Sequence, residues 1–401
     1  MIAVPADPDV MTTSKRFSRR SLLAGAGATL VLVAGGGVWR AVDQGVFSVG
    51  EGPAYEPWQT WRTDEPTGTL KLVRAAVLAS NAHNSQPWLF RLTDLTIDVF
   101  ADHQRNIGAV DPFLREMYIS VGCALENLSL AAEANGYAPT LTLMPNDADN
   151  KHAAHLTLLR APPKSSPLYD AIPRRHTNRD AYDTAKSVSS ETLLACSALN
   201  TDPDVRVFWY VKPDELQRFG AITIAATESF VADAGQSGDS HKWFRHDWSD
   251  LQQQRDGLSF DALGLPPLIT VLAKMLPEQS GKSNDEGWLK LTREKQIPTA
   301  RAFGLIAVRD RMDNRQRLRA GRLWQRMHLW ATAQGLAMGP LHQMIERLER
   351  EMQLKIDPHF GREVAGLLGD SSWQALFPFR MGYPKVAAKL SPRRAIQDVL
   401  L

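Results

Sequence analysis

Apolar residues recur at three- and four-residue intervals in two stretches of equal length, GCALENLSLAAEANG at 122 to 136 and GRLWQRMHLWATAQG at 321 to 335. That spacing predicts two helices, each with one buried face and a glycine suited to a left-handed C-terminal cap. Gly122, Leu130, Ala132, Ala134 and Gly136 match Gly321, Leu329, Ala331, Ala333 and Gly335 at an offset of 199 residues. A second pair, TLKLVRAAVLASN at 69 to 81 and TLLACSALNTD at 192 to 202, reads as a short helix before a polar break, offset by 123 residues. The two offsets differ by 76 residues, so the later copy should carry an insertion of about that size. Residues 231 to 298 supply it: they are rich in Gly, Ser, Asp, Gln and Lys, lack sustained periodicity, and read as an excursion forming a lid.

Alternating or continuous apolar runs predict strands at 95 to 101, 140 to 145, 155 to 161, 205 to 211, 303 to 308 and 375 to 383. Helical periodicity falls at about 66 to 80, 114 to 135, 213 to 231, 313 to 335, 340 to 354 and 358 to 368. The chain therefore reads as α+β, built as two fused half-repeats, 66–165 and 166–394. Residues 1–41 precede them as a leader, 42–65 as a linker, and 395–401 follow as a tail.

With 401 residues, 44% hydrophobic and 22% charged, the body is globular. Its two cysteines, Cys123 and Cys196, suit neither a metal motif nor a disulfide framework and read as small core residues. No metal site is expected. The start changes the picture of charge. Ser18-Arg19-Arg20-Ser21-Leu22-Leu23 is a twin-arginine pair leading into an uncharged, glycine-rich run at 21–38. It reads as an export signal for the twin-arginine translocase, with a membrane anchor as the other reading. Export of this kind carries folded proteins, which favours a cofactor inserted beforehand, and implies a periplasmic location. Residues 1–41 hold five Lys or Arg and two Asp, so the remainder has 41 basic and 42 acidic residues and no nucleic-acid signature. Seven arginines between Arg309 and Arg326 spread around a helix and read as a solvated or ion-paired surface.

Two stretches carry chemistry. RRHTNR at 174 to 179 offers guanidinium forks, an imidazole and a hydroxyl, a set suited to phosphate and flat acceptor-rich groups, and equally to a solvated turn. SNAHNSQPW at 80 to 88 sets small polar residues beside a rigid Pro-Trp pair. No GxGxxG, P-loop or H-E-x-x-H motif is present, which argues against a Rossmann dinucleotide site.

Together, RRHTNR, NSQPW, the glycine-bounded helices, FRMGYP and SPRR resemble the nitroreductase superfamily of FMN-binding proteins over roughly residues 66 to 394. The run from Asp111 to Leu128 is similar to that of its fused, Acg-like subfamily, apart from Cys123. Ordinary members are homodimers with FMN at the interface. Here NSQPW survives in the first half and RRHTNR in the second, so the resemblance implies one FMN per chain and a monomer or weak dimer.

By motif position, Arg175, His176, Thr177 and Arg179 would hold the FMN phosphate, ribityl chain and pyrimidine edge. Ser80, Asn81, Asn84 and Ser85 would line the opposite side, and Arg393, Arg394 and Lys389 would neutralise phosphate. The backbone of Leu341 and His342 would face flavin N5, with His342 standing where the family has an acidic residue. Two functions stay open: an oxidoreductase passing hydride, with NAD(P)H as donor, through FMN to a nitroaromatic or quinone, and a protein that sequesters FMN beneath the lid.

Overall fold

The computed structural model describes residues 36–63, 67–278 and 281–401. The twin-arginine motif lies outside the described residues. Among those described, no helix is long and apolar enough to cross a membrane.

Two four-stranded antiparallel sheets form the frame. The first contains β1 (Trp88–Leu92), β2 (Thr96–Ala101), β3 (Tyr137–Leu143) and β4 (His152–Arg160), in the order β1-β2-β4-β3. The second contains β5 (Val205–Tyr210), β6 (Ala302–Val308), β7 (Ala337–Pro340) and β8 (Gln374–Gly382), in the order β5-β6-β8-β7. The two orders are the same. Each sheet is preceded by an eight-residue helix, Thr69–Ala76 or Ser190–Ser197, and each has a twenty-residue helix after its second strand, Arg115–Ala134 or Asn314–Ala333. The α+β class and the predicted element pairs are thus present in the molecule. Two short strands, β1 and β7, escape the sequence pattern.

The sheets differ in what covers them. β3 alternates between exposed and half-buried positions after buried Tyr137, as YAPTLTL dictates, and keeps one face in solvent. β6, AFGLIAV, is buried at every position. The Asn314–Ala333 helix packs on this sheet, as do helices Pro213–Ala232, Gln343–Leu354 and His359–Leu368. A continuous apolar run is the signature of a strand covered on both faces.

The two long helices pack against each other, and the matched glycines sit at their crossing. A Cβ built on Gly122 would fall on the carbonyl oxygen of Leu318, and one on Gly321 on that of Ile119. Both contacts lie three residues before the partner glycine, so the crossing has a local two-fold character. Cys123 is buried beside it and its Sγ donates to the Gly321 carbonyl at 3.3 Å; Cys196 is also a buried free thiol. Trp324, wholly buried, packs on Phe377 and Phe379 at centroid distances of 4.4 and 5.2 Å.

The insertion is more ordered than its composition suggests. It folds into helices Ala234–His241, Trp248–Gln254, Pro267–Met275 and Gly281–Leu291, too short for a sustained period. Charged contacts pin it to the first half. Asp256 receives Arg105 from one side and Arg245 from the other, and Asp239 accepts from the Ala109 backbone at 2.7 Å. The C-terminal tail is docked as well: Leu400 bridges to Phe90 in parallel and Leu401 N–H donates to the Phe90 carbonyl at 2.9 Å.

The arginine-rich helix departs in part from the sequence reading. Arg322 and Arg326 pair with buried Glu126, and Arg315 pairs with Asp147. Arg311 and Arg317, however, are buried rather than solvated, because their stems pack inward and their guanidiniums find backbone and sulfur acceptors.

Candidate functional site

The 80–88 stretch folds as a tight loop in which His83, Asn84 and Gln86 all adopt left-handed backbone angles, φ 48°, 54° and 50°. Such angles cost energy for residues with a Cβ and persist only when the surroundings hold them. The surroundings do so. Asn81 Oδ1 accepts from the Gln86 N–H at 2.9 Å, and the Gln86 amide bonds the Arg255 carbonyl and the Arg394 N–H. Ser80 N–H donates to Gln325 Oε1 and its hydroxyl accepts from Trp324 Nε1, which ties the loop to the helix crossing.

Beside the loop lies a cavity of about 290 Å³, at the lower end of the range for ligand sites. Of the residues expected at the site, Ser80, Asn81, Thr177, Arg179 and His342 line it. The insertion contributes an apolar wall that includes Phe244, Phe260 and Trp288. Arg179 donates to the Ala262 carbonyl at 3.1 Å, and burial pulls its guanidinium down to about 10.

A second cluster lies deeper. Arg175 and Arg393 are 2% and 3% exposed, so the basic turn points Arg175 inward while Arg174 stays exposed. Arg175 donates to the Leu78 carbonyl at 3.2 Å and meets His328 Nδ1 at 3.5 Å. Arg393 donates to Asn84 Oδ1 at 2.6 Å and to the Pro392 and Ala79 carbonyls, and lies 4.8 Å over the Trp58 ring. Neither makes an ion pair with a carboxylate among the described residues, and the Nε of each has no hydrogen-bond partner. Burial lowers the Arg175 guanidinium to about 10; burial and then Arg175 hold Arg393 well below its ordinary value. His176 stands edge-on to Trp58 at 4.7 Å, and burial with both arginines drives it down to about 3, leaving it neutral.

The remaining expected residues stand apart from the cavity. Ser85 is buried, and its carbonyl accepts from Arg105. Arg394 is engaged by the Gln86 and Asp398 carbonyls, and Lys389 is exposed. Leu341 corrects the expectation of a backbone donor there: its N–H is taken by the Pro378 carbonyl at 2.9 Å, an extension of the β7–β8 ladder. His342 instead stands at the N-terminus of the Gln343–Leu354 helix, where the first N–H groups lack intrahelical acceptors.

The structure adds residues that the motifs did not mark. Glu116, Gln343 and Glu346 line the cavity, with Asp111, Arg115 and Glu349 packed behind them. Charged letters at positions that the helical period assigns to the buried face were the available signal. Arg115 bonds Glu349 and Glu116, each at 2.9 Å, and the Leu376 carbonyl at 3.1 Å. Arg115 Nη1 also lies 3.2 Å from His342 Nδ1. An arginine only donates, so that ring nitrogen accepts and His342 is the neutral Nε2–H tautomer. Burial, then Arg115 and His83, hold His342 well below the usual imidazole value.

No family model matches the chain. A protein of Mycobacterium tuberculosis named "Putative NAD(P)H nitroreductase Rv3131" is 26% identical over 306 residues, spanning 74% of this chain and 81% of its own length. Another from that organism, "Putative NAD(P)H nitroreductase acg", is 33% identical over 84 residues, 21% of this chain and 25% of its own. Among solved structures, a nitroreductase with bound FMN from Desulfitobacterium hafniense gives a TM-score of 0.35 at 13% identity, over 59% of this chain and 97% of its own. The FMN-dependent nitroreductase NfnB from Mycobacterium smegmatis, in complex with NADPH, gives 0.31 at 17% identity, over 58% and 97%.

Proposed function

We propose that this homologue of the NAD(P)H nitroreductases, a member of the nitroreductase superfamily, is an FMN-dependent oxidoreductase passing reducing equivalents from NAD(P)H to a small aromatic or quinone acceptor. The observation that carries the reading is the pair Arg175 and Arg393. Two buried guanidiniums without a carboxylate are expensive, and each keeps an N–H unused. A phosphate group would supply the missing charge and acceptors. Asn84 orients Arg393 for that task, and neutral His176 adds no third charge. Ser80, Asn81, Thr177 and Arg179 on the adjoining cavity wall offer polar groups to the ribityl chain and ring edge. Bound there, FMN supplies two-electron transfer, and the aromatic wall excludes water from it.

The same reading takes the two halves, with their identical strand orders, as stand-ins for the subunits of a homodimer, so one chain holds one flavin and needs no partner. It also takes the leader as a twin-arginine export signal that delivers the loaded protein to the periplasm.

One feature favours the sequestering alternative. The insertion is fastened to the first half through buried Asp256, which pairs with Arg105, and its aromatic residues line the cavity. Mixing the yellow protein anaerobically with NADPH separates the two. An oxidoreductase bleaches the flavin absorbance on mixing. A sequestering protein stays yellow until the 235–295 segment is cut or removed. A protein that binds no FMN, even on reconstitution, refutes both.

A further inference from the structure

We propose that Glu346, hydrogen-bonded to Glu116, is a proton donor to an acceptor bound in the cavity, and that Gln343 beside it receives the O–H so formed. The proposal rests on the oxidoreductase reading. Both carboxyls lie in the first turns of their helices, are 2% and 4% exposed, line the cavity, and hydrogen-bond to each other.

The surrounding charges decide which group keeps a proton. Asp111 accepts from the Glu116 and Met117 N–H groups at 3.1 and 3.0 Å, and Arg115 serves Glu349 and Glu116. Arg347, next along the helix, is turned away to Asp233 at 3.0 Å. Arg311 and Arg317 stand near Glu349 but donate to other acceptors. His342 and His83 are neutral, held low by burial. Glu346 thus makes no ion pair among the described residues, and burial, then Glu116, outweigh the pull of Arg115 and hold it well above the usual carboxyl value. Two hydrogen-bonded carboxyls can share a proton, but both cannot ionise cheaply.

Gln343 provides the independent sign of a ligand. It is 4% exposed, lines the same cavity, and its Oε1 has no hydrogen-bond partner among the described residues. A quinone suits this pair. FMN held here would, once reduced, supply a hydride, hence two electrons and one proton. Glu346 gives the second proton to a carbonyl oxygen, a new O–H bond forms there, and hydroquinone results. The hydride source would be left oxidised, and Glu346 is left ionised, to be reprotonated from water. The new O–H has Gln343 Oε1 as its acceptor.

The test uses the full-length flavoprotein, photoreduced and then mixed with benzoquinone or with ferricyanide, which takes electrons without a proton. Glu346→Gln should slow oxidation by benzoquinone about 100-fold and leave the ferricyanide rate where it was. Infrared spectra at pH 7 should show a protonated carboxyl band in the wild type that Glu346→Gln removes. Glu116→Gln, which takes away the neighbouring anion, should move the fall in benzoquinone rate to lower pH; this arm stands if Glu346→Gln does not fold. Equal slowing with both acceptors, or no slowing, overturns the proposal. A missing wild-type band overturns it alone, whereas a flavin that neither acceptor oxidises overturns it together with the oxidoreductase reading.

Discussion

Gly122 and Gly321 are each other's counterpart at the helix crossing, and each is opposed by main chain of the partner helix: Leu318 for one, Ile119 for the other. A backbone carbonyl inside a helix cannot rotate aside as a side chain can. Gly321→Ala should therefore cost about 1–3 kcal/mol, the usual range for overpacking. The midpoint of urea unfolding measures it. Gly238, exposed in the Ala234–His241 helix with nothing near its Cβ position, is the control. There an alanine should stabilise by about 0.5–1 kcal/mol, and equal destabilisation at both sites would refute the packing argument.

Arg175→Leu removes a buried charge that has no carboxylate partner. The FMN-free protein should lose no thermal stability, and FMN should bind about 10- to 100-fold more weakly, the worth of one charge-assisted hydrogen bond. Calorimetry on both forms reads the two effects. A large fall in the melting temperature of the FMN-free protein would show that Arg175 is a structural group.

Asp256 is the only acidic residue in contact with both Arg105 and Arg245 among the described ion pairs, and it is 3% exposed. Its removal strands two arginines, so Asp256→Ala should cost about 3–5 kcal/mol. The loss should be concentrated in the insertion, seen as faster proteolysis within 235–295 and quicker FMN release. Unchanged cleavage there would mean that the insertion is held by other contacts.

Two sets of buried groups oppose each other as pH changes. Burial lowers His83 to about 4 and His176 to about 3, and holds His328 and His342 well below the usual imidazole value. Below pH 6.5 the unfolded chain gains protons that the native state refuses, so these four cost stability as pH falls. Burial raises Asp111 to about 6 and Glu116 to about 7, and raises Glu346 well above its ordinary value. Here the native state holds protons that the unfolded chain releases above about 4.5, so these three cost stability as pH rises toward 7. Four outweigh three on the acid side. Unfolding free energy should fall from pH 6 toward 4, and Glu346→Gln should steepen that fall by up to one proton, about 1.4 kcal/mol per pH unit. A shallower slope in the variant would contradict the assignment.

The sequence displays the frame because long helices and apolar strands write their period into many residues. The glycine-bounded repeat also matches Gly122 with Gly321, although that these two positions meet at the crossing is seen only in the structure. β7 is four residues long, too short to show a period. The insertion hides its helices for a related reason, since none of the four described there exceeds eleven residues. Within the site, the polar motifs mark Ser80, Asn81, Thr177 and Arg179, which cluster, but composition cannot reveal that Arg175 is buried or that Leu341 spends its N–H on β8. Glu116 and Glu346 are 230 residues apart and meet only through tertiary packing.

In an assembly of two identical chains, every substitution strikes both halves at once. Here the residues at the crossing are separate letters of one gene product, as Cys123 opposite the Gly321 carbonyl already illustrates. A change that would ruin one side of a symmetric dimer can be confined to the other. One half is then free to drift in loops, length and charge while its neighbour stays fixed.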